Sequence, residues 1–222
     1  MTSAAENPKN PRRRNLLVLL AALLVALLVV GAVGFAARFA DRAAPSGTGP
    51  YHGSEPPAVF KLPPFELTSY RGGRVDSATL AGDVVLLTIL DAQCTDVCPI
   101  LASVIAGTID RLTPAERKQV RALAISGDPA EDTPTAVRQF LSKRRAVGRL
   151  DYLVGSEEQL RPIWTALQIL PSLDSGQDSL HSAPLRIYDR GGTWVATLHS
   201  GADLNEENLL HDIRTALAAD SG

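Results

Sequence analysis

The chain has 222 residues, of which 45% are hydrophobic and 21% charged, and its formal net charge at pH 7 is −2. This composition is typical of a globular protein, and the length leaves room for one domain of ordinary size with additional segments. Because there is no excess of basic residues, the usual electrostatic basis for binding nucleic acid is missing, and no nucleic-acid partner is predicted.

An uncharged apolar stretch covers residues 16–37. A helix of this length, rising about 1.5 Å per residue, would cross a hydrocarbon core about 30 Å thick. Residues 1–15 are basic, which predicts a cytoplasmic N-terminus and an extracytoplasmic C-terminal part. We therefore predict a single-pass signal anchor in the cytoplasmic membrane. A cleaved signal peptide is the alternative, and it would also export the domain.

The next segment, residues 38–57, is rich in proline, glycine, serine and alanine and is predicted to be a semi-extended tether. Residues 58–222 are predicted to form the folded domain. Within it, Phe65–Thr68 alternates apolar and polar residues and precedes the turn sequence Arg71–Arg74, which indicates a β-hairpin. The apolar run Val84–Leu90 predicts a strand that is buried on both faces at the centre of a sheet.

Helices and strands are predicted to alternate through the rest of the domain. The predicted helices begin near Pro99, Thr113, Asp132, Ser156 and Leu204, and the predicted strands are Val120–Ile125, Leu150–Val154, Leu185–Asp189 and Thr193–Leu198. This succession predicts an α/β, thioredoxin-like fold, in which helices flank a central mixed sheet. An N-terminal β-hairpin extends the fold, and one transmembrane helix precedes it.

Cys94 and Cys98 are the two cysteines of the chain, and they follow the strand Val84–Leu90 directly. We predict that they lie at or just before the first turn of a helix, where backbone N–H dipoles favour the thiolate form. Residues at i and i+4 share one helical face, so a small adjustment would permit either a shared metal or a disulfide. The pattern therefore predicts copper or disulfide chemistry.

Two thiolates alone would leave Cu(I) or Zn(II) under-coordinated, so a third ligand is expected from elsewhere. The four histidines are not equivalent, since His52, His199 and His211 are predicted to be surface or strand-edge residues. His181 stands in a loop just before a late strand, and in a thioredoxin-like sheet this loop faces the redox helix. Two thiolates and an imidazole favour copper, as Cu(I) or Cu(II), over hard ions.

Asp128 and Asp132 follow the predicted strand Val120–Ile125. The favoured interpretation is that Asp128 lies at the strand end and that Asp132 caps the next helix. In the alternative, one of these carboxylates faces the metal loop or a partner.

Three segments together resemble the Sco/SenC family. They are Cys94-x-x-x-Cys98-Pro99, the sequence Ser-Gly-Asp-Pro-Ala-Glu-Asp-Thr-Pro at residues 126–134, and His181-Ser182. The resemblance covers about residues 57–218. Members of this family are membrane-anchored, thioredoxin-like copper proteins that help to build CuA, the dinuclear copper centre of cytochrome c oxidase.

The resemblance implies that copper is bound by Cys94, Cys98 and His181. The implied partners are the copper-accepting subunit of cytochrome c oxidase, other copper chaperones or thiol reductants, and the membrane.

Two functions are predicted from these features. One is a copper-binding assembly factor that delivers copper to CuA or prepares its cysteines. The other is a membrane-anchored, extracytoplasmic thiol–disulfide oxidoreductase, in which Cys94 attacks and Cys98 resolves.

Overall fold

The computed structural model of the chain describes residues 15, 17, 19–24, 49–168 and 184–219. The chain divides into two compact units, Met1–Ser46 and Gly47–Gly222. The described residues of the first unit are helical. Among all the described residues, no helix has both the length and the apolar character needed to cross a membrane. Most of the predicted anchor at 16–37 lies outside the described residues, so the anchor stays a prediction.

The second unit is built around one mixed sheet. Its strands within the described ranges are β1 (Glu66–Ser69), β2 (Arg74–Asp76), β3 (Val84–Leu90), β4 (Val120–Ser126), β5 (Asp151–Val154), β6 (Leu185–Tyr188) and β7 (Trp194–Leu198). They lie in the order β2-β1-β5-β4-β3-β6-β7. Strands β3, β4 and β5 are parallel to one another, whereas the pairs β1–β2, β1–β5, β3–β6 and β6–β7 are antiparallel.

Helices flank the sheet, as the thioredoxin-like prediction requires. Those in the described part of this unit are α1 (Val97–Arg111), α2 (Pro114–Arg117), α3 (Pro134–Lys143), α4 (Glu157–Ala166) and α5 (Glu206–Ala218), with a short 3₁₀ helix at Ser77–Leu80. Local sequence explains several of their starts. Thr113 and Ser156 each form a complete capping box at the start of α2 and α4, and Asn205 caps α5.

The predicted hairpins are confirmed at β1–β2 and β6–β7. In the first turn, Gly72 and Gly73 have φ angles of 85° and 91°, which other residues rarely adopt. All seven residues of β3 are buried, so the prediction of a central strand is also confirmed. Parallel pairing aligns Leu90 with Ser126, and this brings the carboxyl ends of β3 and β4 together.

Residues 51–62, here called the edge segment, run along the outer strand β7. Ser54 and Thr197 exchange two backbone hydrogen bonds of 2.9 Å, and the Trp194 N–H donates to the carbonyl of Phe60 at 2.9 Å. The buried carboxylate of Asp212, in α5, accepts the N–H of His52 at 2.7 Å and that of Gly53 at 2.9 Å. The edge segment is therefore fixed to both the sheet and the last helix.

A matched pair of glycine substitutions tests this attachment. A Cβ at Gly53 would lie 2.7 Å from the carbonyl oxygen of Thr197, whereas one at Gly107 would meet only the end of the Glu206 side chain. We expect Gly53→Ala to lower the free energy of unfolding by about 1–3 kcal/mol, because backbone has to move. Gly107→Ala should be neutral or stabilising by up to about 1 kcal/mol, because alanine favours the interior of α1. Equal denaturation midpoints for the two variants would contradict the assignment.

Candidate metal centre

The two cysteines lie where β3 passes into α1. Cys98 is in the first turn of α1, which begins at Val97, but Cys94 lies in the preceding loop. Both positions agree with the prediction that the pair lies at or just before the first turn, but Cys94 does not share a helical turn with Cys98. The physical reason is that the chain after β3 first makes a tight turn, in which the Cys94 N–H donates to the Asp91 carbonyl at 3.2 Å.

The two thiols nevertheless meet. Both cysteines are free, and a hydrogen bond joins their sulfur atoms. Cys98 is fully buried, whereas Cys94 is only partly buried. The loop thus presents one thiol toward solvent and holds its partner behind it.

The two sulfur atoms have opposite acidities. The hydrogen bond from the Cys98 thiol lowers the pKa of Cys94 from its ordinary value of 9.0 to about 6, and the backbone N–H groups of Cys98 and Asp96 add to this effect. These N–H groups lie at the start of α1, where helix geometry favours a thiolate. The same hydrogen bond, together with burial, raises the pKa of Cys98 well above its ordinary value. At neutral pH, Cys94 is the thiolate and Cys98 keeps the proton.

The buried carboxylate of Asp132 is hydrogen-bonded to the backbone of the thiol loop. Oδ1 of Asp132 accepts the N–H of Ala92 at 2.8 Å, two residues before Cys94. Its Oδ2 lies 2.6 Å from the Ser126 hydroxyl and 2.8 Å from the Tyr152 hydroxyl. Burial raises the pKa of Asp132 from 3.8 to about 6, although these hydrogen bonds oppose the shift.

The favoured prediction that Asp132 caps the next helix is wrong. Thr133 occupies the N-cap of α3, where its hydroxyl accepts the N–H of Ala136. The alternative, that one of the two aspartates faces the metal loop, holds for Asp132. Asp128 fulfils its predicted local role, because its carboxylate accepts the N–H groups of Ala130 and Glu131 just after β4.

The Tyr152 hydroxyl links this carboxyl group to the end of β3. It lies 2.6 Å from the Leu90 carbonyl and 2.8 Å from Oδ2 of Asp132, but it has one proton to donate. When Asp132 is protonated, its proton satisfies the hydroxyl oxygen, and Tyr152 donates to Leu90. When Asp132 is ionised, the two acceptors compete for the Tyr152 proton. Protonation of Asp132 therefore completes the hydrogen bonds beneath the loop.

Carboxylates surround the thiol loop, and we call Asp91, Asp128 and Glu131 the acidic rim. Burial raises the pKa of Asp91, and the negative charges of Asp128 and Glu131 raise it further. Asp91 also opposes ionisation of both Cys94 and Cys98. The rim gives the loop a negative potential that favours the approach of cations.

The predicted third ligand, His181, lies outside the described residues, so its position relative to the thiols stays a prediction. Among the described residues, no histidine, further cysteine or carboxylate lies close enough to the two thiols to form a three-ligand metal group with them. Of the other histidines, His199 follows β7, and its N–H donates to Asp203. His52 and His211 stack on each other, and the compact group of possible ligands to which they belong does not include the thiols.

The SCO1/SenC family profile matches residues 54–218, most of the chain. The chain belongs to the SCO1/SenC family. The match includes both cysteines, the Asp128–Pro134 segment and His181.

Three relatives illustrate the likeness of this SCO1/SenC protein to others. It is 26% identical to mitochondrial Protein SCO2 of Saccharomyces cerevisiae over 162 residues, which are 70% of this chain and 52% of the yeast protein. Copper-bound ScoI of Bradyrhizobium japonicum is 26% identical, with a TM-score of 0.59 over 71% of this chain and 100% of that one. BsSco, a cytochrome c oxidase assembly protein of the Sco family with a disulfide switch, is 19% identical, with a TM-score of 0.63 over 75% and 99% of the two chains. The chain spans about half the length of the curated relatives it matches.

The acidity of the Cys94 thiol predicts how this SCO1/SenC protein reacts with alkylating agents. The iodoacetamide reaction rate of the reduced chain should rise as pH increases, reach half its maximum near pH 6, and then level off. Mass spectrometry should place the first label on Cys94, because Cys98 is buried and protonated. In Cys98→Ala, the hydrogen-bond donor to the Cys94 sulfur is removed, and the midpoint should move to higher pH. A midpoint near pH 8.5, or first labelling of Cys98, would contradict this assignment.

The pKa of Asp132 predicts a pH dependence of stability. The pKa of Asp132 is about 6 in the folded chain and 3.8 when it is unperturbed, so protonated Asp132 adds to the free energy of unfolding. This contribution is fully present below pH 3.8 and is lost as the pH rises through about 6. This loss amounts to about 2–3 kcal/mol. Asp132→Asn cannot ionise, so its free energy of unfolding should not fall over this range. Denaturation of the parent protein and of Asp132→Asn between pH 4 and 7.5 measures the two free energies of unfolding. The contributions of the other carboxylates cancel when one is subtracted from the other. Parallel pH profiles would contradict the prediction.

Proposed function

We propose that this protein is a copper-binding assembly factor that delivers copper to the CuA centre of cytochrome c oxidase or prepares its cysteines. The observation that carries the proposal is the reduced thiol pair, in which an accessible low-pKa Cys94 is hydrogen-bonded to a buried Cys98. Soft thiolates suit Cu(I) better than other available ions. Copper bound to ScoI of Bradyrhizobium japonicum supports the choice of ion.

The proposed copper ligands are Cys94, Cys98 and His181. The Cys94 thiolate makes the first bond, because it is ionised and accessible at neutral pH. Cys98 then loses its proton to solvent and supplies the second sulfur. The imidazole of His181, which is neutral when it binds metal, supplies the third ligand. Charge balances because one Cu(I) ion enters and one proton leaves.

Copper transfer would proceed by ligand exchange from the exposed side. Cys94 is the accessible sulfur, so a thiolate of the acceptor would replace it before the buried Cys98. The acidic rim of Asp91, Asp128 and Glu131 would attract both the copper ion and a basic acceptor surface. The loop below remains anchored by Asp132 while its ligands exchange.

The proposed location is the outer side of the cytoplasmic membrane, with residues 16–37 as a single-pass anchor and residues 1–15 in the cytoplasm. The support is the length of the uncharged stretch and the basic residues before it. BsSco belongs to a family of cytochrome c oxidase assembly proteins, which supports cytochrome c oxidase as the proposed recipient of copper. The part of the predicted tether that precedes the edge segment, residues 38–50, would give the domain reach toward a neighbouring membrane complex.

Thiol–disulfide exchange is the second candidate function, and the contrast between the two cysteines favours it specifically. Cys94 has the acidity and access of an attacking thiolate, and Cys98 has the position of a resolving thiol. In this reaction Cys94 attacks a substrate disulfide and releases one thiolate. Cys98 then gives its proton to the released thiolate and attacks the Cys94 sulfur of the mixed disulfide, so the second substrate thiolate leaves, the substrate is reduced and Cys94–Cys98 is oxidised. The disulfide switch of BsSco supports this alternative.

Copper titration tests the first function. The full chain in detergent, kept reduced, should bind one equivalent of Cu(I) at pH 7.5 and release about one proton, because Cys94 is already ionised. His181→Ala should weaken Cu(I) binding at least tenfold, whereas His199→Ala should not change it. Competition with a coloured Cu(I) chelator measures affinity, and calorimetry in buffers of different ionisation enthalpy measures the proton.

The same titration separates the two functions. Unchanged affinity in His181→Ala would refute the three-ligand copper site. If that variant and the parent chain also reduced a disulfide substrate repeatedly, with an added thiol reductant to reduce Cys94–Cys98 after each cycle, thiol–disulfide exchange would become the better assignment. Cys94→Ser should abolish both activities, and it serves as the negative control.

A further inference from the structure

Two imidazole rings from distant parts of the sequence lie face to face at the surface. His52 belongs to the edge segment and His211 to α5, and both side chains are exposed. Their ring centroids are 3.7 Å apart, and their planes differ by 3°. This pair lies outside the thiol loop, and the proposed function does not use it.

The hydrogen bonds of Asn208 fix the tautomer of His52. The amide nitrogen of Asn208 donates to the Asp203 carbonyl at 2.8 Å, which turns its Oδ1 toward Nδ1 of His52, 3.0 Å away. An amide oxygen only accepts, so the proton lies on Nδ1 of His52. The Nε2 atom of His52 therefore carries a lone pair.

A similar argument fixes the tautomer of His211. Its Nδ1 lies 3.0 Å from Oδ1 of Asp212. That carboxylate is fully buried, and its two oxygens already accept the N–H groups of His52 and Gly53. It acts as an acceptor toward the ring as well, so Nδ1 of His211 donates. The Nε2 atom of His211 also carries a lone pair, and no described residue is hydrogen-bonded to either Nε2.

We infer that His52 and His211 form a second metal site, which binds a borderline divalent cation of the Cu²⁺ or Zn²⁺ class through their Nε2 atoms. Histidines that bind metals usually donate the other ring N–H to a carboxylate or carbonyl oxygen, and Asp212 and Asn208 provide these acceptors here. Imidazole suits Cu²⁺, Zn²⁺ and Ni²⁺, with Cu²⁺ the strongest binder, whereas hard cations prefer oxygen ligands.

The distances allow such a site after a small movement. The ring centroids of His52 and His211 are 3.7 Å apart, so the two imidazoles lie close enough to share one ion. Because metal–nitrogen bonds are about 2.0–2.1 Å long, the two rings must open from parallel planes so that their lone pairs converge. Both rings are exposed and have room to turn. Asp212 stays an acceptor rather than a ligand, since three N–H groups occupy its oxygens, and water completes the coordination.

The test uses a chain that cannot bind metal through its thiols. Full-length Cys94→Ser/Cys98→Ser protein in detergent is titrated with Zn²⁺ and, separately, with Cu²⁺ at pH 7.5. We expect one equivalent of either ion to bind and to raise the Tm, because the ion would join the edge segment to α5 in the folded state only. The Cu²⁺ paramagnetic resonance spectrum should show two nitrogen ligands.

Variants assign the ligands. His52→Gln and His211→Gln should each weaken binding at least tenfold and remove the metal-dependent rise in Tm. His199→Gln and His181→Gln, made in the same background, are the matched controls and should bind like the parent. Binding that survives in His52→Gln and His211→Gln, or that is absent from the parent, would overturn the inference. Because the thiols are missing throughout, this result is independent of the proposed function at Cys94 and Cys98.

Discussion

The buried carboxyl group of Asp132 is the contact on which the geometry of the thiol loop depends. It holds the backbone of Ala92, and it also joins Ser126 at the end of β4 to Tyr152 in β5. The end of β4, the strand β5 and the loop after β3 thus share one acceptor. A buried polar network of this kind specifies a single arrangement, because each member loses a partner if another moves. The position of Cys94 consequently depends on the hydrogen bonds by which Asp132 joins the loop to β4 and β5.

The difference between the two thiols follows from that position. Because the chain turns before it enters α1, one sulfur lies in front of the helix and receives its free N–H groups, while the other enters the core with the first turn. Two residues of the same type, four apart, therefore acquire different acidity and access. Both metal exchange and disulfide chemistry require such a division between an accessible thiolate and a protected thiol.

Features determined by local sequence were predicted well. The uniformly apolar β3, the glycine turns of both hairpins and the capping boxes at Thr113 and Ser156 depend on neighbouring residues alone. Contacts between distant residues were not predictable in this way. The carboxylate of Asp132 reaches Ala92, forty residues earlier, and a local preference for helix capping suggested a different role. The pair was predicted at or just before the first turn of α1, but the turn at Asp91 that keeps Cys94 outside the helix was not predicted.

The same limit applies to the histidines. The family pattern drew attention to His181, but its approach to the thiols depends on the path of a loop and stays a prediction. His52 and His211 were expected to be separate surface residues, because no helix or strand pattern in the sequence indicates that the edge segment returns to α5. The signal that could have been noticed is Gly53, which permits close approach to Thr197 and Asp212.

The edge segment also affects how the domain behaves in a crowded environment. An outer strand with free N–H and C=O groups is a template for pairing with strands of other molecules. Residues 51–62 occupy part of that side of β7, so they shield the domain from edge-to-edge association. A soluble fragment that began after residue 62 would keep the thiol loop but would leave this strand open to aggregation.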